Sequence, residues 1–238
     1  MANIITKHIP NSITCCNLIC GCIATSWALS GNYKMALVFI ICGAIFDFFD
    51  GMTARLLHVS SEIGKELDSL ADVVTFGVAP ASMVYTLLYD MHYPSGMECC
   101  RQWLPYVAFL IAAFSALRLA KFNLDTRQAT SFIGLPTPAN ALFWGSLIVG
   151  ADSKLSHLSW GLPLVLVLII LSCWILISEI PMFALKFKQW GWHGNEVKYI
   201  FLITCIPLLI FLGISAFAVI ITWYVILSIY VASRKGLK

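Results

Sequence analysis

The stretch FDFFDGMTARLLHVSSEIGKELDSLADVV, residues 46–74, decides how this chain is read. Apolar sequence runs into it over 35–46 and out of it over 73–89. Asp47, Asp50, Asp68 and Asp72 therefore sit at or near the ends of two lipid-length segments. A carboxylate at membrane depth costs on the order of 2–3 kcal/mol or more, so four in one place imply a use for them.

The rest of the chain makes the membrane reading firm. Of 238 residues, 60% are hydrophobic and 11% charged, with mean hydropathy +0.86. Soluble domains carry roughly 25% charged residues, so an all-α polytopic membrane protein is expected, in one domain over 1–238. No nucleic-acid partner is expected. The start, MANIITKHIPNSIT, has one lysine and no small-residue cleavage site, so the first apolar run reads as a retained span. Most of the nine cysteines lie in apolar segments, where they act as small hydrophobes. Cys99 and Cys100 are adjacent in a polar loop and stand apart from them. His58 and His193 have no partner spacing that asks for a metal and read as solvated.

Spans of about 20 apolar residues are expected near 11–31, 34–57, 67–90, 103–123, 137–151, 160–182, 197–213 and 215–233. Eight crossings place twelve of the fifteen Lys and Arg on one side: Lys7, Arg55, Lys65, Arg118, Lys121, Arg127, Lys186, Lys188, Lys198, Arg234, Lys235 and Lys238. Only Lys34, Arg101 and Lys154 fall on the other. Cytoplasmic loops collect cations, which puts both termini and the aspartate loop in the cytoplasm.

Asp47 and Asp50 are i,i+3 and share one helix face; Asp68 and Asp72 are i,i+4 and share another. Gly64 lies one turn before Asp68 on that face. Four clustered carboxylates repel one another unless cations sit between them. With no thiol or imidazole nearby, oxygen ligands suit hard divalent ions, Mg²⁺, Mn²⁺ or Ca²⁺. Gly51 and Ala54 leave room for a ligand to approach the second helix, and Arg55 supplies a planar fork for phosphate oxygens. Metals, an arginine and small residues are the parts of a phosphoryl- or phosphatidyl-transfer site.

Asp47, Asp50, Gly51, Ala54, Arg55, Gly64, Asp68 and Asp72 spell D-x-x-D-G-x-x-A-R-x8-G-x3-D-x3-D. This resembles, at every fixed position, the signature of the CDP-alcohol phosphotransferase family. The resemblance implies a polytopic helical enzyme, usually a homodimer, in which an alcohol displaces CMP from a CDP-linked lipid such as CDP-diacylglycerol. It implies two divalent ions held by the four aspartates, with Asp72 also the general base. It further implies that Gly51, Ala54, Arg55 and Gly64 line the nucleotide. Upstream, PNSITCCN places Asn11, Thr14 and Asn17 on one face after Pro10, which suits a first helical turn. Similar segments in the family contact the nucleotide, which implies that role for Asn11 and Thr14.

Three further segments, 115–123 (SALRLAKFN), 132–140 (FIGLPTPAN) and 177–187 (ISEIPMFALKF), resemble the membrane-integral, serine-using branch of that family. The resemblance spans about 9–188 and implies L-serine as acceptor, six helices in the catalytic core and two added helices over about 197–233. Arg118 and Lys121 sit at the expected cytoplasmic end of the fourth span, beside Asn123, where a cation suits the carboxylate of serine. Pro136 belongs to GLPTP, a proline-set loop suited to fixing a small pocket.

Two rivals are weighed against this. Another acceptor, as in phosphatidylglycerophosphate or phosphatidylinositol synthases, calls for extra cations, for which Lys186, Lys188 and Lys198 are available. A cation transporter calls for acids spread along several spans, but the later spans carry almost none, Glu179 excepted. Arg55 beside the acids also suits an anionic ligand.

Overall fold

A computed structural model describes residues 4–59, 61–94, 96–125, 132–158, 160–183, 191–192 and 195–235. Arg127, Lys186, Lys188, Lys238 and His193 lie outside them, as do the side chains of Lys7, Arg234 and Lys235. The described chain is helical apart from short connections and one two-residue strand pair.

Helix α1 (Ile4–Leu29) and α2 (Tyr33–Leu56) form an antiparallel hairpin closed at Gly31, whose φ of 75° is glycine's to adopt. Asn32 caps α2 by accepting from the Met35 N–H at 3.1 Å. Pro10 falls within α1 and not in its first turn, because the helix already begins at Ile4. Having no N–H, the proline leaves the carbonyl one turn before it without its helical donor.

Ser61 caps α3 (Glu62–Asp72) through the Gly64 N–H. A π-helical segment, Val73–Val78, carries α3 into α4 (Ala79–Asp90) without a break. This composite is the pillar of the fold: its apolar window is 72% buried, against 17–33% for the other candidate spans. Phe76, Met83, Leu87 and Leu88 supply its core face. Short 3₁₀ turns lead into α5 (Leu110–Leu124), followed by α6 (Thr137–His157) and α7 (Gly161–Ile177). Trp144 on α6 donates to the Ser172 hydroxyl on α7 at 3.2 Å, which satisfies a buried indole N–H. Strands β1 (Phe132–Ile133) and β2 (Pro181–Met182) pair antiparallel and tie the start of α6 to the end of α7.

Helices α8 (Glu196–Leu212) and α9 (Ala216–Lys235) close the chain. Trp223 donates to Thr204 at 3.1 Å, and the rings of Phe201 and Tyr224 lie 5.8 Å apart. Both pairs bracket Gly213, so the two helices fold back on each other there. Tyr224 also donates to the Phe183 carbonyl at 2.9 Å, holding α9 against the β2 end.

Among the described residues, five stretches have the length and apolarity to cross a membrane: His8–Leu29, Tyr33–Leu56, Glu62–Asp90, Leu104–Leu124 and Glu196–Ser233. The chain is thus an all-α integral membrane protein. Reaching the expected eight crossings requires three further steps. The 38-residue Glu196–Ser233 stretch would have to pass twice, as a hairpin. The 17-residue α7 would have to cross as well, and so would α6, whose buried Thr137, Asn140 and Ser146 lower its apolarity.

Candidate active site

The aspartates of α2 and α3 face one another, and α2 packs at Gly43 on Thr75 of the π segment that continues α3. The N-terminal half of α1 packs against both helices and supplies polar groups that hold one aspartate of each pair. Thr14, nearly fully buried, donates to Asp50 at 2.6 Å. Asn17, fully buried, donates through Nδ2 to Asp72 at 3.2 Å. The Asn17 carbonyl also accepts from Thr75 at 3.0 Å, inside the π segment. A π-helical turn widens the helix immediately after Asp72, a feature often found at functional sites. Close approach between the helices is made possible by glycine: a Cβ on Gly43 or Gly21 would run into Thr75.

This scaffold brings Asp47, Asp50 and Asp68 together, with one carboxylate oxygen from each within 4.8 Å of the others. Asp72 is buried beside them, and Asp47 approaches both Asp68 and Asp72 as closely as hydrogen-bonding partners do. Asp68 keeps one buried carboxylate oxygen, Oδ1, with no partner among the described residues. A buried anionic oxygen without a donor is costly, and close carboxylates repel one another. A hard divalent cation answers both problems, so the donor set fits one.

Beside the cluster opens a cleft of about 260 Å³, lined by Asn11, Thr14, Gly51, Ala54, Gly64 and Lys65 along with Asp50 and Asp68. Its two glycines serve different ends. A Cβ on Gly51 would meet nothing within 4 Å, so the missing side chain is room in the cleft itself. A Cβ on Gly64 would lie 2.8 Å from the Ser61 hydroxyl and 2.9 Å from Asn11 Oδ1, so that glycine lets α3 seat against α1. Arg55 is exposed and folds back to donate to the Gly51 carbonyl at 3.0 Å; it does not line the cleft. The cation that does is Lys65, read from sequence only as a topology marker. Its Nζ donates to the Asn123 carbonyl at 3.4 Å.

A second cavity, of about 360 Å³, is lined by residues of all three segments that resemble the serine-using branch: Arg118 and Lys121 from α5, Ile133 from β1, and Leu176–Glu179 from the end of α7. Arg118 is only 7% exposed, its Nε has no partner among the described residues, and its guanidinium stacks over Phe122 at 5.0 Å. It also lies within electrostatic reach of Asp72. The GLPTP loop is pinned here by backbone bonds, Gly134 N–H to Ile180 and Leu135 N–H to Ile175. Gly134 has φ of 74°, and a Cβ there would sit 2.7 Å from the Leu176 carbonyl.

Pro136 caps α6 by its extended backbone, and Asn123 turns to Ser69 on α3 at 2.8 Å; neither lines this cavity. Residues 184–187 of the third segment lie outside those described. Near these elements Ser115, Thr137 and Asn140 are fully buried with side-chain polar atoms unpartnered among the described residues, and none of them stood out in the sequence. Cys99 and Cys100 lie with sulfurs 3.8 Å apart. They follow the far end of α4, more than a dozen helical residues beyond Asp72 and so on the opposite side of the fold.

The CDP-alcohol phosphatidyltransferase family model matches residues 7–185, three quarters of the chain and every residue of the cluster. The chain belongs to that family. Among its relatives is a CDP-diacylglycerol–serine O-phosphatidyltransferase of Helicobacter pylori (strain 26695), 32% identical over 223 residues, which cover 92% of this chain and 89% of the relative. The enzyme of the same name from Bacillus subtilis (strain 168) is 42% identical over 133 residues, 56% of this chain and 70% of the relative. An archaetidylserine synthase of Methanothermobacter thermautotrophicus is 31% identical over 154 residues, 62% of this chain and 61% of the relative.

Proposed function

We propose that this membrane enzyme transfers the phosphatidyl group of CDP-diacylglycerol to L-serine and releases CMP. The observation that carries the reading is the convergence of Asp47, Asp50, Asp68 and Asp72 beside an open, glycine-floored cleft. Similarity to relatives whose names all contain serine supports the acceptor.

Each residue has a role that follows from its place. The cleft beside Gly51 and Ala54 receives the nucleotide, with Asn11 and Thr14 along one wall and Lys65 on the side of the phosphates. Asp47, Asp50 and Asp68, with Asp72, hold two divalent cations, Mg²⁺ or Mn²⁺. The chemistry these supply when bound is neutralisation of the diphosphate and of the charge that builds on departing CMP. Arg55, on the rim, is within a flexible side chain's length of an incoming diphosphate.

Asp72 takes the proton from the serine hydroxyl as its oxygen bonds to the lipid-bearing phosphorus and the bond to CMP breaks. Burial keeps Asp72 away from bulk water, and Asn17 fixes its orientation. Arg118, buried and within electrostatic reach of Asp72, receives the serine carboxylate and so aims the hydroxyl at the base. Asn123 and Pro136 act behind it, one joining α5 to α3 and the other setting the start of α6. The enzyme works as a homodimer, as the family resemblance implies, with eight crossings; the cation bias supports a site open to the cytoplasm.

The test is direct. Full-length protein in detergent micelles with CDP-diacylglycerol and Mg²⁺ or Mn²⁺ is given L-serine, inositol or glycerol 3-phosphate, and CMP release is followed. Serine-dependent release is expected. Release driven by inositol or glycerol 3-phosphate instead would move the chain to another acceptor.

A further inference from the structure

The cavity around Arg118 is not simply cationic. Its wall carries two cations, Arg118 and Lys121, and two acids, Asp125 and Glu179. Glu179 lies two residues beyond α7, a helix without an acid that ends on Ile175, Leu176 and Ile177. Its position is set: the chain on both sides of it is bonded to the GLPTP loop, and β1–β2 pairing follows two residues later. A cavity that holds an acid and a buried guanidinium in one wall sorts ligands by where their charges lie. A phosphorylated acceptor, with two negative charges and no positive one, gains from Arg118 and Lys121 but meets Asp125 and Glu179 with no ammonium to offer them. A neutral polyol gains from neither.

We propose that this pocket recognises a zwitterion at both poles, the acidic arm of Glu179 and Asp125 receiving the ammonium of the amino-acid acceptor while Arg118 receives its carboxylate. This rests on the serine reading above and adds what excludes the other acceptors. The arrangement rejects by repulsion as well as selecting by attraction, which is how one scaffold separates acceptors that all carry a hydroxyl.

Two fragments of serine separate the poles. Ethanolamine keeps the hydroxyl and ammonium, and 3-hydroxypropanoate keeps the hydroxyl and carboxylate. Each is measured as an inhibitor of serine-dependent CMP release by the full-length protein in micelles. In Asp125→Asn/Glu179→Gln, the serine KM and the ethanolamine inhibition constant are expected to rise together by about tenfold or more, the loss typical of a charge-assisted contact. Inhibition by 3-hydroxypropanoate should move less than about twofold or tighten. Arg118→Lys should do the reverse, weakening 3-hydroxypropanoate and sparing ethanolamine.

Stabilisation by CDP-diacylglycerol in thermal unfolding reports whether the double variant is assembled. If it is not, the single variants Glu179→Gln and Asp125→Asn are put through the same pair of inhibitors. An unchanged serine KM, or equal weakening of both fragments, overturns the proposal while leaving serine as acceptor. Absence of serine-dependent CMP release from the unaltered protein would instead overturn the serine reading itself.

Discussion

Thr14 donates a 2.6 Å hydrogen bond to Asp50 across 36 residues of sequence, from the first helix to the second. A neutral hydroxyl thus positions a carboxylate of the aspartate cluster without cancelling its charge. The bond accounts for a threonine, buried and polar, in the middle of a membrane helix.

Thr14→Val removes this donor at nearly constant volume. The Asp50 carboxylate then loses a bond worth about 1.5–3 kcal/mol to a charged acceptor. CMP release is expected to fall roughly 10- to 100-fold and to need more divalent cation for half-maximal rate. Thr14→Ser should recover most of the rate. A Val variant with unaltered metal dependence would detach Thr14 from the site.

The two signature glycines should fail in different ways. Gly51→Leu projects into open cleft, so thermal unfolding should stay close to that of the parent while CDP-diacylglycerol no longer stabilises the protein. Gly64→Ala presses on the Ser61 cap and on Asn11, so it should cost about 1–2 kcal/mol of stability. If the alanine variant unfolds like the parent, α3 and α1 are not seated as tightly as described.

Asp68 offers a test that needs no turnover. Its buried Oδ1 lacks a donor among the described residues and faces the charge of Asp47 and Asp50, so without cations it destabilises the fold. In chelator, Asp68→Asn should therefore unfold several degrees higher than the parent. Divalent cation at about 100 times its dissociation constant should stabilise the parent by about 2.7 kcal/mol and the variant much less. CMP release by the variant should be nearly abolished. An Asp68→Asn protein that is less stable than the parent in chelator would argue for a structural carboxylate and against a metal ligand.

Much of this site was legible because helical spacing is local. The i,i+3 and i,i+4 separations of the aspartates set their shared faces, and the three-residue recurrence of Asn11, Thr14 and Asn17 set theirs. That α1 and α2 both pack on the pillar at Thr75 was not legible, since it depends on which glycines accept a neighbour: Gly21 and Gly43 meet Thr75, 54 and 32 positions away. The π segment after Asp72 has no composition of its own and follows from packing around Thr75 and Gly77. Arg55 illustrates the opposite case. Its spacing suggested a place in the cleft, but a side chain free to rotate bonds its own helix at Gly51. Pairing of 132–133 with 181–182, which gathers the second cavity, is a contact between strands of two residues each, too short to announce itself.

The C-terminal hairpin yields a topological prediction. Thr204 and Trp223 lie opposite each other across Gly213, so a hairpin that crosses twice should put 213 and the chain's end on opposite sides of the bilayer. A reporter active only in the cytoplasm, fused after residue 238, should be active; the same reporter after 213 should be silent. Activity at both points would mean that the hairpin does not cross.

The last expectation concerns Asp72 and the residue that holds it. Asn17 donates to Asp72 Oδ1 at 3.2 Å, and an asparagine at 72 offers an oxygen of the same shape in the same place. Asp72→Asn should thus keep the packing and most CDP-lipid affinity while removing the proton acceptor. General base catalysis contributes typically 10²- to 10⁴-fold, so kcat should fall by about that range with the KM for CDP-diacylglycerol changed only a few-fold. Asn17→Ala leaves the base present but unaimed, and strands a buried carboxylate oxygen. A smaller fall in kcat, about tenfold, is expected there, together with some loss of stability. The two variants combined should be little worse than Asp72→Asn alone, because Asn17 acts through the group already lost. Independent, multiplying losses would show that Asn17 touches the substrate directly, and an Asp72→Asn enzyme retaining a tenth or more of its kcat would remove Asp72 from the role of base.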